Sequence, residues 1–211
     1  MNLQLLETIG KLSVEYIADE RKLILTPLVN YVVNRAEMGL PIRLNFICTH
    51  NSRRSHLSQI WAQIMADYFD VESVVCYSGG TEATAMYSMV VETLFKQGIN
   101  ITKLSDTDNP IYAVDYNKSC SPMIAFSKKY DHQLNPTNEY AAIMTCNHAD
   151  ENCPVIHGAE ERIPITYIDP KVSDGTEAQA ATYLERSEQI ATEMKYIFGE
   201  VSKELSISLD S

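Results

Sequence analysis

Apolar residues recur along this chain at two different periods. Leu3, Leu5, Leu6, Ile9 and Leu12 follow helical spacing. A second helical set, Leu23, Ile24, Leu28, Val29 and Val32, follows Ala18-Asp19-Glu20-Arg21 and stops at Gly39 and Pro41. Residues 1–39 therefore read as two helical segments. The short run Arg43-Leu44-Asn45-Phe46-Ile47 reads as a buried strand. From Ser55 to Tyr68 the period returns to helical, with Leu57, Ile60, Trp61, Ile64 and Met65 on one face. A second strand is expected from Ser73 to Tyr77, closed by a Ser78-Gly79-Gly80 turn. A helix is expected from about Ala83 to Gln97, ending at Gly98. Residues 140–146 and 163–168 supply a third and a fourth strand, and Thr176 to about Lys203 a long closing helix.

Strands alternating with helices imply a parallel sheet with right-handed crossovers. Residues 106–138 break the alternation. There, Ile111 to Tyr116 and Met123 to Phe126 are strand-like and are separated by a polar, proline-bearing turn, the pattern of a hairpin. The length, 211 residues, suits a single α/β domain. Its expected parts are a helical extension at 1–40 and a core at 43–203 with an insertion at about 106–138.

Composition narrows the partners. The formal net charge of −11 disfavours nonspecific binding to nucleic acid or to an anionic membrane. An anionic substrate must then be held by local positive groups. No apolar stretch is long enough to span a membrane, and the first residues lack the basic, apolar and small-residue order of a secretion signal. Five cysteines in a chain of this size read as reduced thiols, some of them reactive, in the cytoplasm.

The chemistry concentrates at Cys48-Thr49-His50-Asn51-Ser52-Arg53-Arg54-Ser55. A cysteine, five residues, an arginine and a serine make an oxyanion-binding loop with a nucleophile at its start. The loop joins the end of a strand to the start of a helix, whose first N–H groups have no partner within the helix. A tetrahedral oxyanion fits there, and Arg54 can clamp two of its oxygens. The bland alternative is a small apolar cysteine at a strand end. Strand before, helix after and polar residues within the loop favour chemistry.

A second cluster follows the third strand. Cys146 and Cys153 are separated by six residues, Asn147-His148-Ala149-Asp150-Glu151-Asn152. This is too far for a C-x-x-C redox motif, but a polar loop can fold back to join them reversibly. The first and third strands end at the same sheet edge, so Cys146 can approach Cys48. Two alternatives stand beside this: inert thiols, or a zinc site from Cys146, His148, Cys153 and His157 at irregular spacing. Cys76 and Cys120 read as nonfunctional.

Taken together, these segments resemble one family. The Cys48–Ser55 loop looks like the phosphate loop of low-molecular-weight protein tyrosine phosphatases and of the thioredoxin-coupled arsenate reductases built on that fold. The segment from Thr145-Cys146 to Cys153-Pro154 resembles the redox segment of those reductases, which the phosphatases do not require. Ile168-Asp169-Pro170 resembles the segment holding the family's general acid, and Ser78 to Ala83 its turn after the second strand.

The resemblance implies a three-layer α/β sandwich around a four-stranded parallel sheet, and it implies roles. Cys48 would be the nucleophile, and Asp169 the general acid. Thr49, His50, Asn51, Ser52, Arg53, Arg54 and Ser55 would form the oxyanion cradle. Cys146 would attack the Cys48–arsenic adduct, and Cys153 would pass the disulfide to a thioredoxin-like reductant. No cofactor or metal is implied; Gln59 stands where some reductases carry a glutamate used for potassium, so no cation is expected.

Three departures qualify the match. His50 stands where many members have glycine, Arg53 where cysteine is frequent. Lys171 replaces the aromatic residue that flanks a phosphotyrosine ring, which argues against that substrate. Three readings follow: an arsenate reductase, a phosphomonoesterase needing only Cys48, Arg54 and Asp169, or a non-enzymatic oxyanion or redox sensor.

Overall fold

A computed structural model describes residues 1–147, 149 and 155–209. The core is a four-stranded parallel sheet built from β1 (Ile42–Cys48), β2 (Val74–Gly80), β6 (Tyr140–Met144) and β7 (Ala159–Pro164), in the order β2-β1-β6-β7. The central strand β1 is buried almost throughout, as expected of a strand covered on both faces. A separate three-stranded antiparallel sheet comes from β3 (Asn100–Lys103), β4 (Tyr112–Asp115) and β5 (Met123–Ala125).

Pleating sorts the side chains of β1 and β6 between the two faces. Ile42, Leu44, Phe46, Ala141 and Ile143 join the main core, beneath α2 (Asp19–Glu37), α3 (Arg54–Tyr68) and α5 (Gln179–Leu209). Ile47, Cys48, Tyr140, Ala142, Met144 and Cys146 form a second, smaller cluster on the other face. That face is closed in part by the chain around Tyr130. Asn45, fully buried in β1, donates to the Tyr130 carbonyl at 3.2 Å, and Asn135 donates to the Ser78 and Tyr130 carbonyls.

α3 presents Leu57, Ile60, Trp61, Ile64 and Met65 to the core, all fully buried. α1 (Leu3–Lys11) starts at Asn2, whose side chain accepts from the Leu5 N–H at 2.8 Å. Leu5, Ile9 and Leu12 are buried, but Leu3 and Leu6 point outward. In α2 the buried side is Leu25, Leu28, Val29, Tyr31, Val32 and Val33, while Leu23 and Ile24 are exposed. Leu28, Val29 and Val32 of the expected face are buried, and Arg35, buried at the core edge, pairs with Glu160 and donates to the Pro41 carbonyl.

Other boundaries move for physical reasons. β2 extends through Ser78-Gly79-Gly80, which pair with Phe46-Ile47-Cys48 and are strand rather than turn. The helix expected from Ala83 is the shorter α4 (Ser88–Lys96), because residues 81–87 are spent holding the loop described below. The fourth strand lies at 159–164, earlier than 163–168. It is an edge strand in which Glu160 and Glu161 are both exposed, so it lacks the apolar signature of its neighbours. Ile165 and Tyr167 still donate to the Met144 and Thr145 carbonyls, which carries the extended path to the site. The hairpin is β4–β5, and the sequence reading missed its third member, β3.

Gly80 is a fixed point of this packing. A Cβ there would sit 2.3 Å from the Glu82 carbonyl oxygen and 2.7 Å from the Thr49 carbonyl oxygen, both main-chain atoms that cannot swing aside. Gly80→Ala is expected to cost roughly 1–3 kcal/mol, the usual range for overpacking. Chemical denaturation would show it as a lowered midpoint at unchanged slope. An unchanged midpoint would mean that the loop yields without strain.

Candidate active site

β1 ends at Cys48 and α3 begins at Arg54, so the intervening loop lies at the carboxyl edge of the sheet. Four of its carbonyls are taken from outside. The Cys48 oxygen accepts from Thr81 N, the Thr49 oxygen from Glu82 N at 2.8 Å, and the Ser52 oxygen from Tyr87 N at 3.0 Å. The His50 oxygen accepts from the Thr84 and Ser127 hydroxyls. In a planar trans peptide the following N–H lies on the opposite edge from its carbonyl. The N–H groups of Thr49, His50, Asn51 and Arg53 are therefore turned away from those partners.

Asn51 sets the bend. It has a left-handed φ of 44°, a conformation that asparagine tolerates better than most residues. The bend falls at Asn51 and not at His50, so the histidine departure carries no backbone strain. Asn51 Oδ1 accepts from Lys128 N at 2.8 Å, which fixes the orientation of the amide. Its Nδ2 donates to Ser55 Oγ at 2.9 Å. Ser55 Oγ lies 3.1 Å from Cys48 Sγ. Because the Asn51 amide can only donate to the serine oxygen, the serine proton is left to point at sulfur. A nucleophilic sulfur anion would use that contact.

Cys48 is 4% exposed and lines a narrow pit together with His50, Ser52, Arg53, Arg54 and Asp169. Arg54 Nη1 donates to the Tyr167 carbonyl at 3.0 Å and Nη2 to Asp169 Oδ2 at 2.5 Å. Its Nε is buried without a hydrogen-bond partner. A buried cationic donor left unpaired is costly, and an oxyanion in the pit would satisfy it. Asp169 is held by its second oxygen, which accepts from Lys171 N as the cap of a short 3₁₀ turn at Pro170–Ser173.

Arg53 also lines the pit, but its guanidinium is spent elsewhere. It donates to Tyr183 at 2.5 Å and to Asp174 at 2.6 Å, and stacks 4.2 Å over the Tyr87 ring. Sequence reasoning gave no hint of Asp174, Tyr87 or Tyr183 as its partners. They lie far along the chain and belong to no local pattern. His50 is half-exposed at the rim, 3.7 Å from Glu82.

Cys146 follows β6. It is 1% exposed, its sulfur lies 3.5 Å from Thr49 Oγ1, and it accepts from Ala149 N at 3.4 Å. It packs in the same small cluster as Cys48. Thr145 locks the two strand ends together, its N–H donating at 2.7 Å and its hydroxyl at 2.9 Å to the Ile47 carbonyl. Cys153 and His148 lie outside the described residues, and with them the resolving thiol and half of the alternative zinc set. Cys76 is buried in β2, and Cys120 is an exposed thiol beside Asp67.

Beneath the loop, His56 is fully buried, with Nδ1 3.4 Å from Ser78 Oγ. Burial, and then the Lys128 ammonium, push its pKa from 6.5 down to about 3. The folded protein therefore keeps His56 neutral where the unfolded chain takes up a proton. The associated stability is complete above pH 6.5 and falls by roughly 1.4 kcal/mol per unit towards pH 3. Between pH 7 and pH 5 the protein should lose about 2 kcal/mol more than a His56→Gln variant does. Urea titrations at the two pH values test this; parallel losses would show that His56 is not buried uncharged.

No family model matches the chain. It is 30% identical over 113 residues to arsenate reductase 2 of Staphylococcus haemolyticus, covering 53% of this chain and 65% of that protein. The match thus spans just under two thirds of that relative. To arsenate reductase 2 of Staphylococcus epidermidis it is 28% identical over 135 residues, covering 64% of this chain and 82% of that one. The solution structure of a low-molecular-weight protein tyrosine phosphatase from Bacillus subtilis superposes with a TM-score of 0.50 at 12% identity, covering 77% of this chain and 98% of that one. At that identity the likeness is one of fold: the α/β core with its four-stranded parallel sheet is shared.

Proposed function

We propose that this chain is an enzyme that reduces arsenate to arsenite through a cysteine relay. The observation that carries the reading is the position of Cys146, buried against Thr49 of the oxyanion loop and clustered with Cys48. A phosphomonoesterase needs no second thiol there. The sequence likeness to arsenate reductases supports the same choice.

In this reading the Cys48 sulfur attacks arsenic(V), and an oxygen leaves as water with a proton supplied by Asp169. Arg54 and the loop N–H groups hold the remaining oxygens. The Cys146 sulfur then attacks Cys48 Sγ. The sulfur–arsenic bond breaks, and its electron pair leaves with arsenic as arsenite. A Cys48–Cys146 disulfide remains, so two thiols have supplied the two electrons. Cys153 next attacks Cys146, releasing the Cys48 thiol and giving a Cys146–Cys153 disulfide. A dithiol protein of thioredoxin type reduces that disulfide. Asp169 must loosen its pairing with Arg54 as the anion arrives, which couples proton delivery to occupancy of the pit.

No helix among the described residues is long and apolar enough to cross a membrane. Reduced cysteines and a thioredoxin-type reductant fit a cytoplasmic setting. The test is arsenate-dependent oxidation of NADPH in the presence of thioredoxin and thioredoxin reductase, run beside hydrolysis of an aryl phosphate. Multiple turnovers with arsenate are expected. Efficient hydrolysis without arsenate turnover would replace this reading with a phosphomonoesterase. Binding without turnover of either substrate would replace it with a sensor.

A further inference from the structure

Two successive arginines of the loop hold two aspartates that bracket one turn. Asp169 and Asp174 stand at the two ends of the 3₁₀ turn Pro170–Ser173. Arg54 takes Asp169, and Arg53 takes Asp174. The two pairs are built differently. Arg54 keeps an unpaired Nε, and its partner lines the pit. Arg53 is closed into a ring of bonds. Its Nη2 donates to Asp174 Oδ2 at 2.6 Å, its Nε donates to the Tyr183 hydroxyl at 2.5 Å, and that hydroxyl donates to Asp174 Oδ1 at 2.7 Å. Both carboxylate oxygens and the single phenolic proton are thereby used. Burial, and then the bond to Asp174, push the Tyr183 pKa up, which keeps the phenol a donor.

The arginine end of this ring is fixed. Arg53 directly precedes α3, and its carbonyl accepts from Leu57 N at 3.0 Å. Tyr87, whose N–H holds the Ser52 carbonyl of the loop, stacks on the guanidinium, and its ring packs 5.6 Å from that of Tyr183. Tyr183 itself is fully buried on α5. At the aspartate end, the other bonds of the turn are internal. Lys171 N donates to Asp169, Ser173 Oγ to the Pro170 carbonyl, and Asp174 N to the Lys171 carbonyl. They shape the turn without holding it to the loop. Among the described residues, the hydrogen bonds that join the turn and its two aspartates to the loop are those of the two arginine pairs. An oxyanion that recruits Arg54 takes one of these pairs away.

We propose that Arg53 is a positioning residue for Asp169: its pairing with Asp174 keeps the turn docked on the loop when the arriving oxyanion loosens Asp169 from Arg54. This rests on the reading of Asp169 as the proton donor of the relay. The test follows single-turnover arsenite release in the reduced full chain, with the rate at saturating arsenate and the half-saturating concentration read separately. Asp169→Asn should slow release by about 10²-fold. Arg53→Met should slow it by about tenfold, with the half-saturating concentration changed by less than about threefold. Asp174→Ala, which leaves the loop sequence untouched, should do the same. Arg53→Met added to Asp169→Asn should slow release by no more than about twofold beyond Asp169→Asn alone, because the tether then has no proton donor to place. Losses that multiply, a rate within about twofold of the parent in either Arg53→Met or Asp174→Ala, or an effect confined to half-saturation would each overturn the assignment. A parent that releases no arsenite would sink the relay, and the tether is then read by hydrogen exchange of the amides at 170–176. Exchange there should be at least about tenfold faster in Arg53→Met and Asp174→Ala than in the parent. Equal rates would overturn the tether whatever the chemistry at Cys48.

Discussion

A Cys48→Ser variant is expected to lose arsenate-dependent turnover and aryl phosphate hydrolysis together, each by a factor on the order of 10³ or more. The reason is local. Cys48 lines the pit, with Ser55 Oγ 3.1 Å from its sulfur and the unpaired Arg54 Nε buried at the same loop. No other described cysteine lines that pit. A serine hydroxyl in the same place keeps the packing and the hydrogen bond but is a far weaker nucleophile at neutral pH. The denaturation midpoint should stay close to that of the parent, which separates lost chemistry from lost fold. More than a tenth of the parent activity in either assay would move the nucleophile away from Cys48.

Cys146→Ser is expected to split the two activities. Arsenate turnover should fall by a similar factor, because the step that breaks the sulfur–arsenic bond has no thiol to perform it. Aryl phosphate hydrolysis, if present, should stay within about threefold, since an intact loop and Asp169 suffice for it. Serine can keep both polar contacts of Cys146, with Thr49 and with Ala149 N. Loss of both activities would make Cys146 a structural residue. Retention of both would favour phosphoester hydrolysis as the working chemistry.

The parts of this molecule written in local patterns were legible from its sequence. The apolar face of α3, from Leu57 to Met65, and the mainly apolar run of β1 declare their elements directly, and the loop between them follows. What escaped notice depends on contacts between distant residues. The edge strand β7 hides because Glu160 and Glu161 face outward or pair with α2, as Glu160 does with Arg35. Strand β3, mostly exposed, carries too few apolar residues to signal itself and is fixed by pairing with β4. The glycines at 79 and 80 suggested a turn, whereas they are strand residues whose missing side chains admit Tyr130 and the loop backbone. The supports of the site were equally silent. Lys128, Ser127 and Thr84 hold Asn51 and His50 through main-chain and hydroxyl contacts that no spacing rule anticipates.

The relay itself is tested most directly in a Cys153→Ser variant, reduced, freed of reductant and exposed once to arsenate. Without the third thiol the sequence of attacks stops after the second. Rapid acid quenching, alkylation and peptide mapping by mass should then recover one disulfide, between Cys48 and Cys146, with one equivalent of arsenite released. Recovery of both cysteines alkylated, with arsenate unchanged, would contradict the relay.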